Sequence, residues 1–209
     1  MKFLGMKTIL LVLFMGIVFT TVEAQKTRAD IFEDEEVTFF GLDFSEAQMI
    51  GSLGFTDPYK IKNTYFNGWN RLMFAEKEKY NVERFYRKDE VDYNFDVVDV
   101  RNDKVDEDAL VIDKSYKIDE EKLKGIIGAY NISEPTEGLG LVYIVESFNK
   151  TDASAYIWVT FFDIQTGKIL MSRRMRGKAR GFGFRNYWAG AIYDIMKQSE
   201  KLMSKWEKE

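Results

Sequence analysis

The chain has 209 residues and a net charge of −4, with 15% aromatic residues and neither cysteine nor histidine. That composition excludes disulfides, a lipid-anchored cysteine, zinc sites built on Cys or His, and catalysis of the Ser-His-Asp or Cys-His type. The fold has to stand on its apolar and aromatic core alone.

Residues 1–24 have the three parts of a secretory signal. Lys2 and Lys7 are the basic part, Thr8 to Thr21 the apolar part, and Val22-Glu23-Ala24 the cleavage site with small residues at −3 and −1. The apolar run is shorter than the roughly 20 residues a spanning helix needs. A single αβ domain is expected over 25–209, preceded by no remaining transmembrane segment once the signal is removed. Its location is then periplasmic or secreted.

Residues 25–35 are polar and read as a mobile lead-in. Glu36 to Phe44 clusters β-branched and aromatic residues and predicts a strand, followed by a loop over 45–56. Asp57-Pro58 is a helix start, and Ile61, Tyr65, Trp69, Leu72 and Met73 form one apolar helical face. Asn81 to Arg87 alternates and predicts a second strand, with another near 94–100. Asp119 caps a helix to about Tyr130, whose face is Leu123, Ile126, Ile127 and Tyr130.

Gly140 to Phe148 is an almost continuous apolar run, as in a strand buried on both faces. It is joined by a tight turn to a strand over 153–163, and that strand by the Gly167 turn to a third over 169–178. Asn186 then precedes a final amphipathic helix. These elements predict an α+β fold: a two-layer αβ sandwich on a largely antiparallel sheet, with a C-terminal three-strand meander and a terminal helix.

Charge is the strongest local anomaly. Residues 164–186 contain Lys168, Arg173, Arg174, Arg176, Lys178, Arg180 and Arg185 and no acid, in a chain that is otherwise acidic. A concentrated basic surface of this kind is a recognition site or, alternatively, protection of a strand edge. Arg174 and Arg176 share one side of the strand, read as its solvent side, where charge contributes little to stability. Together with Lys178, Arg180, Arg185 and Trp188 they make the candidate surface for an anion or an acidic partner, with Asn186 capping the helix beside it. Gly177, Gly181 and Gly183 do not match a nucleotide-binding spacing. Nucleic acid is an unsuitable partner for an acidic exported chain. No catalytic motif, metal site or cofactor is read. Asp43 and Asp163 are the carboxylates that glycoside hydrolysis would use, though Asp163 fits a turn-capping role better.

Over 140–203, the run Ala155-Tyr-Ile-Trp-Val-Thr-Phe-Phe-Asp163, then Thr166-Gly167-Lys168, then a Gly177-Lys-Ala strand end and an amphipathic helix, resembles the αβ domain shared by the N-terminal part of TolB and the curli secretion protein CsgG. Gly181-Phe-Gly-Phe-Arg-Asn-Tyr-Trp188 is similar to secreted proteins of Bacteroides-type bacteria. There is no lipid-anchor cysteine and no following propeller, so what the resemblance implies is an envelope protein-interaction module. The function expected is therefore a non-catalytic exported binding module for an acidic envelope protein. A carboxylate-dependent glycan hydrolase and a small-ligand carrier are the alternatives.

Overall fold

The computed structural model describes residues 25–209; the signal sequence and its cleavage site lie outside the described residues. The centre of the fold is β5 (Leu139–Asn149). One edge of β5 pairs in parallel with β1 (Glu36–Asp43) along its first half and with β2 (Gln48–Ile50) along its second. Farther out, β3 (Glu90–Tyr93) pairs with β1 and β4 (Val111–Ile112) with β2, again in parallel. The other edge of β5 pairs antiparallel with β6 (Ser154–Asp163), which pairs antiparallel with β7 (Ile169–Lys178).

Hydrogen bonding thus links β3-β1-β5-β2-β4 as a parallel core within the seven-stranded sheet, and β6 and β7 extend it antiparallel from the other edge of β5. This corrects the expected largely antiparallel sandwich. Hairpin turns between consecutive strands are visible in sequence. Parallel pairs need crossover connections, and three of the strands that they bring together, β2, β3 and β4, have only two to four residues and weak local signals.

Helices cover both faces, giving three layers rather than two. On one face lie α2 (Pro58–Lys60), which runs through a π-helical turn (Ile61–Phe66) into α3 (Asn67–Ala75), then α4 (Val82–Tyr86) and α7 (Phe184–Trp206). Their Trp69, Phe85 and Ile195 pack with Leu141, Tyr143 and Phe161 of the sheet. The opposite face carries α5 (Asp96–Asn102) and α6 (Glu120–Gly128), whose Val98, Leu123 and Ile127 pack on Phe40, Val142 and Ile144. The continuous apolar run of β5 follows from this double coverage.

Two expected strands are helices. Over 81–87 the Asn81 carboxamide accepts from the Arg84 N–H as an N-cap, and Val82, Phe85 and Tyr86 go inward at helical spacing. Over 94–100 the β-branched pair Val97-Val98 sits in α5, which turns Val98 and Asn102 inward one helical turn apart. The capping signals Asp57 and Asp119 act as expected, each accepting a backbone N–H three residues on.

The lead-in expected to be mobile is packed. Residues Asp30–Glu33 form the short helix α1, Ile31 is fully buried, and the buried Lys88 ammonium bonds the Ile31 and Asp34 carbonyls. Among the described residues no helix is long and apolar enough to cross a membrane.

Candidate functional site

Alternation along β7 decides where its charges go. Met171, Met175 and Gly177 face α7 and are buried, so Arg174, Arg176 and Lys178 face the other side of the sheet. There Arg174 is engaged inside the molecule. Its guanidinium bonds both carboxylate oxygens of Glu146, at 3.0 Å and 2.5 Å for the shortest contacts, and stacks over the Tyr156 ring. The Glu146 side chain is 0% exposed and also accepts from the Ile118 N–H and the Trp158 indole N–H, both at 3.1 Å. The hydrogen bond to Glu146 is the main cause that holds the Arg174 pKa above its ordinary value.

Arg176 donates to the Ser154 hydroxyl at 2.9 Å and lies 3.9 Å from Asp152. The main chain at Lys178 and Arg176 is on the outer edge of the sheet, and α7 covers it. Asp194 accepts from the Lys178 N–H and Gln198 donates to the Arg176 carbonyl, each at 2.9 Å. The edge of β7 is therefore protected here by helix side chains as well as by charge. Trp188 is in the core, 1% exposed, its ring stacked on Phe148 at 4.7 Å and on Phe55 at 5.3 Å. Of the six candidate residues, Trp188 takes no part in any surface and Arg174 is largely committed to Glu146.

Arg180 and Arg185 behave differently. The end of β7 and the start of α7 come unusually close. A Cβ on Gly177 would meet the Ala191 carbonyl oxygen at 2.1 Å, and one on Gly190 would meet the Arg180 carbonyl oxygen at 2.0 Å. These two glycines clamp the connecting turn 181–183 against the helix. The N-cap of α7 is Gly183 at φ 78°, with no side-chain cap, so Asn186 does not cap it and instead accepts from Arg185. The clamp holds Phe182 outward at 96% exposure.

Beside it is a cavity of about 560 Å³ lined by Lys79, Arg180, Arg185 and Lys197, with Glu76 and Asp194 as its acids. Lys79 pairs with Glu76 at 3.5 Å, and Asp194 is used by Lys178 and Gln198. Among the described residues Arg180, Arg185 and Lys197 have no acidic partner; Arg185 meets Asn186 and Lys197 stacks over Tyr193. Lys197 escaped the sequence reading, although Asn186, Gly190, Tyr193 and Lys197 follow one another at helical spacing. Lys79 comes from a distant segment and had no local signal.

The two carboxylates considered for hydrolysis are far apart. Asp163 is opposite Leu139 of β5 and Asp43 opposite Ile144. Five residues of strand separate them by roughly 16 Å, against the ~5–9.5 Å of a glycosidase pair. Asp163 holds the turn by accepting from the Thr166 N–H and fixes the N-terminal segment through the Lys26 N–H. Asp43 is fully buried, paired with Arg101 at 3.1 Å and accepting from the Tyr130 hydroxyl at 2.8 Å. Burial and then the Asp43 charge push the Tyr130 pKa well above its ordinary value. No group of acidic side chains among the described residues is arranged to hold a metal ion.

Compared with known proteins, the chain matches no family model, no curated protein and no solved structure.

Proposed function

We propose that the protein is an exported, non-catalytic binding module that takes an acidic partner of the cell envelope at the β7–α7 turn. One observation carries the reading: Arg180, Arg185 and Lys197, all without acidic partners among the described residues, line one cavity beside the exposed Phe182. Unneutralised cations around an exposed aromatic ring are the composition of a recognition surface, in which Arg and aromatic residues carry much of the energy. The positive end of α7 opens at the same place and adds to the field an anion meets. Export rests on the signal features of residues 1–24, and the envelope setting also on the resemblance of 140–203 to TolB and CsgG domains.

The test is affinity capture from native envelope extract at low salt, with bound proteins identified by mass spectrometry. Wild type should retain a defined acidic protein that Arg180→Glu/Arg185→Glu loses, and retention should fade as salt rises. The same capture by wild type and variant would overturn the reading.

A further inference from the structure

We propose that the acidic partner of the β7–α7 turn is a second copy of this chain, and that copies associate head to tail. This rests on the turn being the recognition surface. The chain carries, at its other pole, a cleft with the complementary chemistry.

Strand register places the two poles. Asn149 at the end of β5 is opposite Ser154, and Ser154 is opposite Lys178, so the basic turn lies at the C-terminal end of β5. Glu36, Glu90 and Leu139 lie at the N-terminal ends of β1, β3 and β5. Between the poles runs α7, whose 23 residues span about 34 Å at ~1.5 Å per residue. It ends where the Trp206 carbonyl accepts from Arg28 of the N-terminal segment. Its positive end is at the basic turn and its negative end toward the acidic pole, so the helix dipole reinforces the separation of charge.

The acidic cleft has a volume of about 550 Å³ and is lined by Glu33, Glu36, Glu90 and Asp92, with the part-exposed Pro135 as its apolar lining over the buried Val37 and Leu139. Glu36 and Glu90 are register partners on neighbouring strands, and Asp92 follows on the same face. Like charges side by side across a sheet repel. These four carboxylates have no cation within ion-pair distance among the described residues, and Lys26, which also lines the cleft, is paired with Asp34 at 2.9 Å. A cluster held at that electrostatic cost gains most from a cation brought in from outside.

The knob that fits is Phe182 with Arg180 and Arg185. The ring has an apolar lining to meet, the guanidiniums have carboxylates to meet, and a cleft of this volume is within the ~300–1,000 Å³ range that encloses a compact group. Knob and cleft are different surfaces, so the contact is heterologous. Each copy joined leaves one free knob and one free cleft, and the assembly grows as an open chain unless its rotation closes a ring.

Sedimentation velocity of the purified full chain tests this at low and high salt. At low salt wild type should show a mass that rises with concentration past that of two chains, and at high salt it should fall to that of one. Two neutralised variants, Arg180→Gln/Arg185→Gln and Glu33→Gln/Glu36→Gln/Glu90→Gln, should each stay at one chain. Mixed together they should give two-chain species and nothing larger, because each supplies the surface the other lacks. The glutamine replacements remove charge without adding bulk, and circular dichroism of each variant checks its fold. Should the cleft variant fail to fold, the mixture is replaced by wild type plus an excess of Arg180→Gln/Arg185→Gln, which should cap the chains and lower their mean mass.

Wild type that remains one chain at low salt, or variants that associate as wild type does, would overturn the proposal. If self-association is absent but Arg180→Glu/Arg185→Glu still abolishes capture of another acidic protein, only the identity of the partner is wrong. If neither effect appears, the basic turn is not the recognition surface.

Discussion

The guanidinium of Arg174 closes on the carboxylate of Glu146, with Nε 3.0 Å from Oε2 and Nη2 2.5 Å from Oε1, on a carboxylate that has no exposure to water. Arg174 is thus the counter-charge of a buried acid, and the expectation that Arg174 contributes little to stability is revised. Removing one member of a buried pair leaves the other uncompensated, at about 3–5 kcal/mol. Because the Arg174 side chain is 32% exposed, the low end of that range applies. Arg174→Ala should lower the urea midpoint by the equivalent of about 3 kcal/mol, and Arg176→Ala by less than ~1 kcal/mol, as for an exposed pair. Arg174→Ala combined with Glu146→Gln should cost less than the sum of the single changes. Equal midpoints for the two arginine variants would show that Glu146 is solvated without Arg174.

The aromatic residues on either side of the turn should separate stability from binding. Trp188→Ala empties a site between Phe148 and Phe55, and Phe161→Ala empties one against Tyr86. Each should cost about 3–5 kcal/mol in chemical denaturation. Phe182→Ala should change stability by no more than ~0.5 kcal/mol while weakening association. A Phe182→Ala variant as unstable as Trp188→Ala would mean that the ring is packed rather than presented.

At Gly190 an alanine would ordinarily stabilise a helix, by about 0.8–1 kcal/mol relative to glycine. Here its Cβ would stand 2.0 Å from the Arg180 carbonyl oxygen, so α7 has to move away from the turn. Gly190→Ala should lower the thermal midpoint and weaken binding at the turn. Alanine at Gly68, where a Cβ meets nothing within 4 Å, is the control and should be neutral or stabilising. A raised midpoint for Gly190→Ala would refute the close approach.

Asp99 should leave a signature in acid. Burial is the largest cause that raises its pKa, helped by Asp103 and Asp96 and opposed by the Asn70 amide and by Arg71; one of its oxygens is buried without a hydrogen-bond partner among the described residues. A carboxyl whose pKa is higher in the folded state binds protons more readily when folded. Its ionised form therefore disfavours folding at neutral pH, and this cost disappears as pH falls through the folded pKa toward the unfolded value near 3.9. Asp99→Asn should raise the thermal midpoint at pH 7, with the advantage shrinking as the pH is lowered into the carboxylate range. Parallel curves for wild type and variant across that range would show that Asp99 is not the group responsible.

Much of the local structure was legible in the sequence. The caps at Asp57 and Asp119, the strands 140–148, 153–163 and 169–178, and the final helix all have signals within a few residues of where they act. The helix over 82–86 was misread as a strand, because the alternation in Asn81 to Arg87 competes with the helical spacing of Val82, Phe85 and Tyr86 behind Asn81. The parallel pairing of β1 and β2 with β5 was not legible. Parallel register is set by packing across crossovers, which even the eight-residue β1 does not announce, and β2 with three residues carries too little pattern to be seen at all.

The candidate site divides in the same way. Composition alone determined that the protein has no histidine or cysteine chemistry and concentrates positive charge in residues 164–186. Which of those charges are available is a tertiary matter. β-Strand alternation points Arg174 at a carboxylate that comes from β5, and Trp188 enters a core built with Phe55 and Phe148. By contrast, the close approach of Gly190 to Arg180 holds Arg180, Phe182 and Arg185 outward, because a side chain's neighbours are decided by the packing of elements distant in sequence, not by the residues beside it.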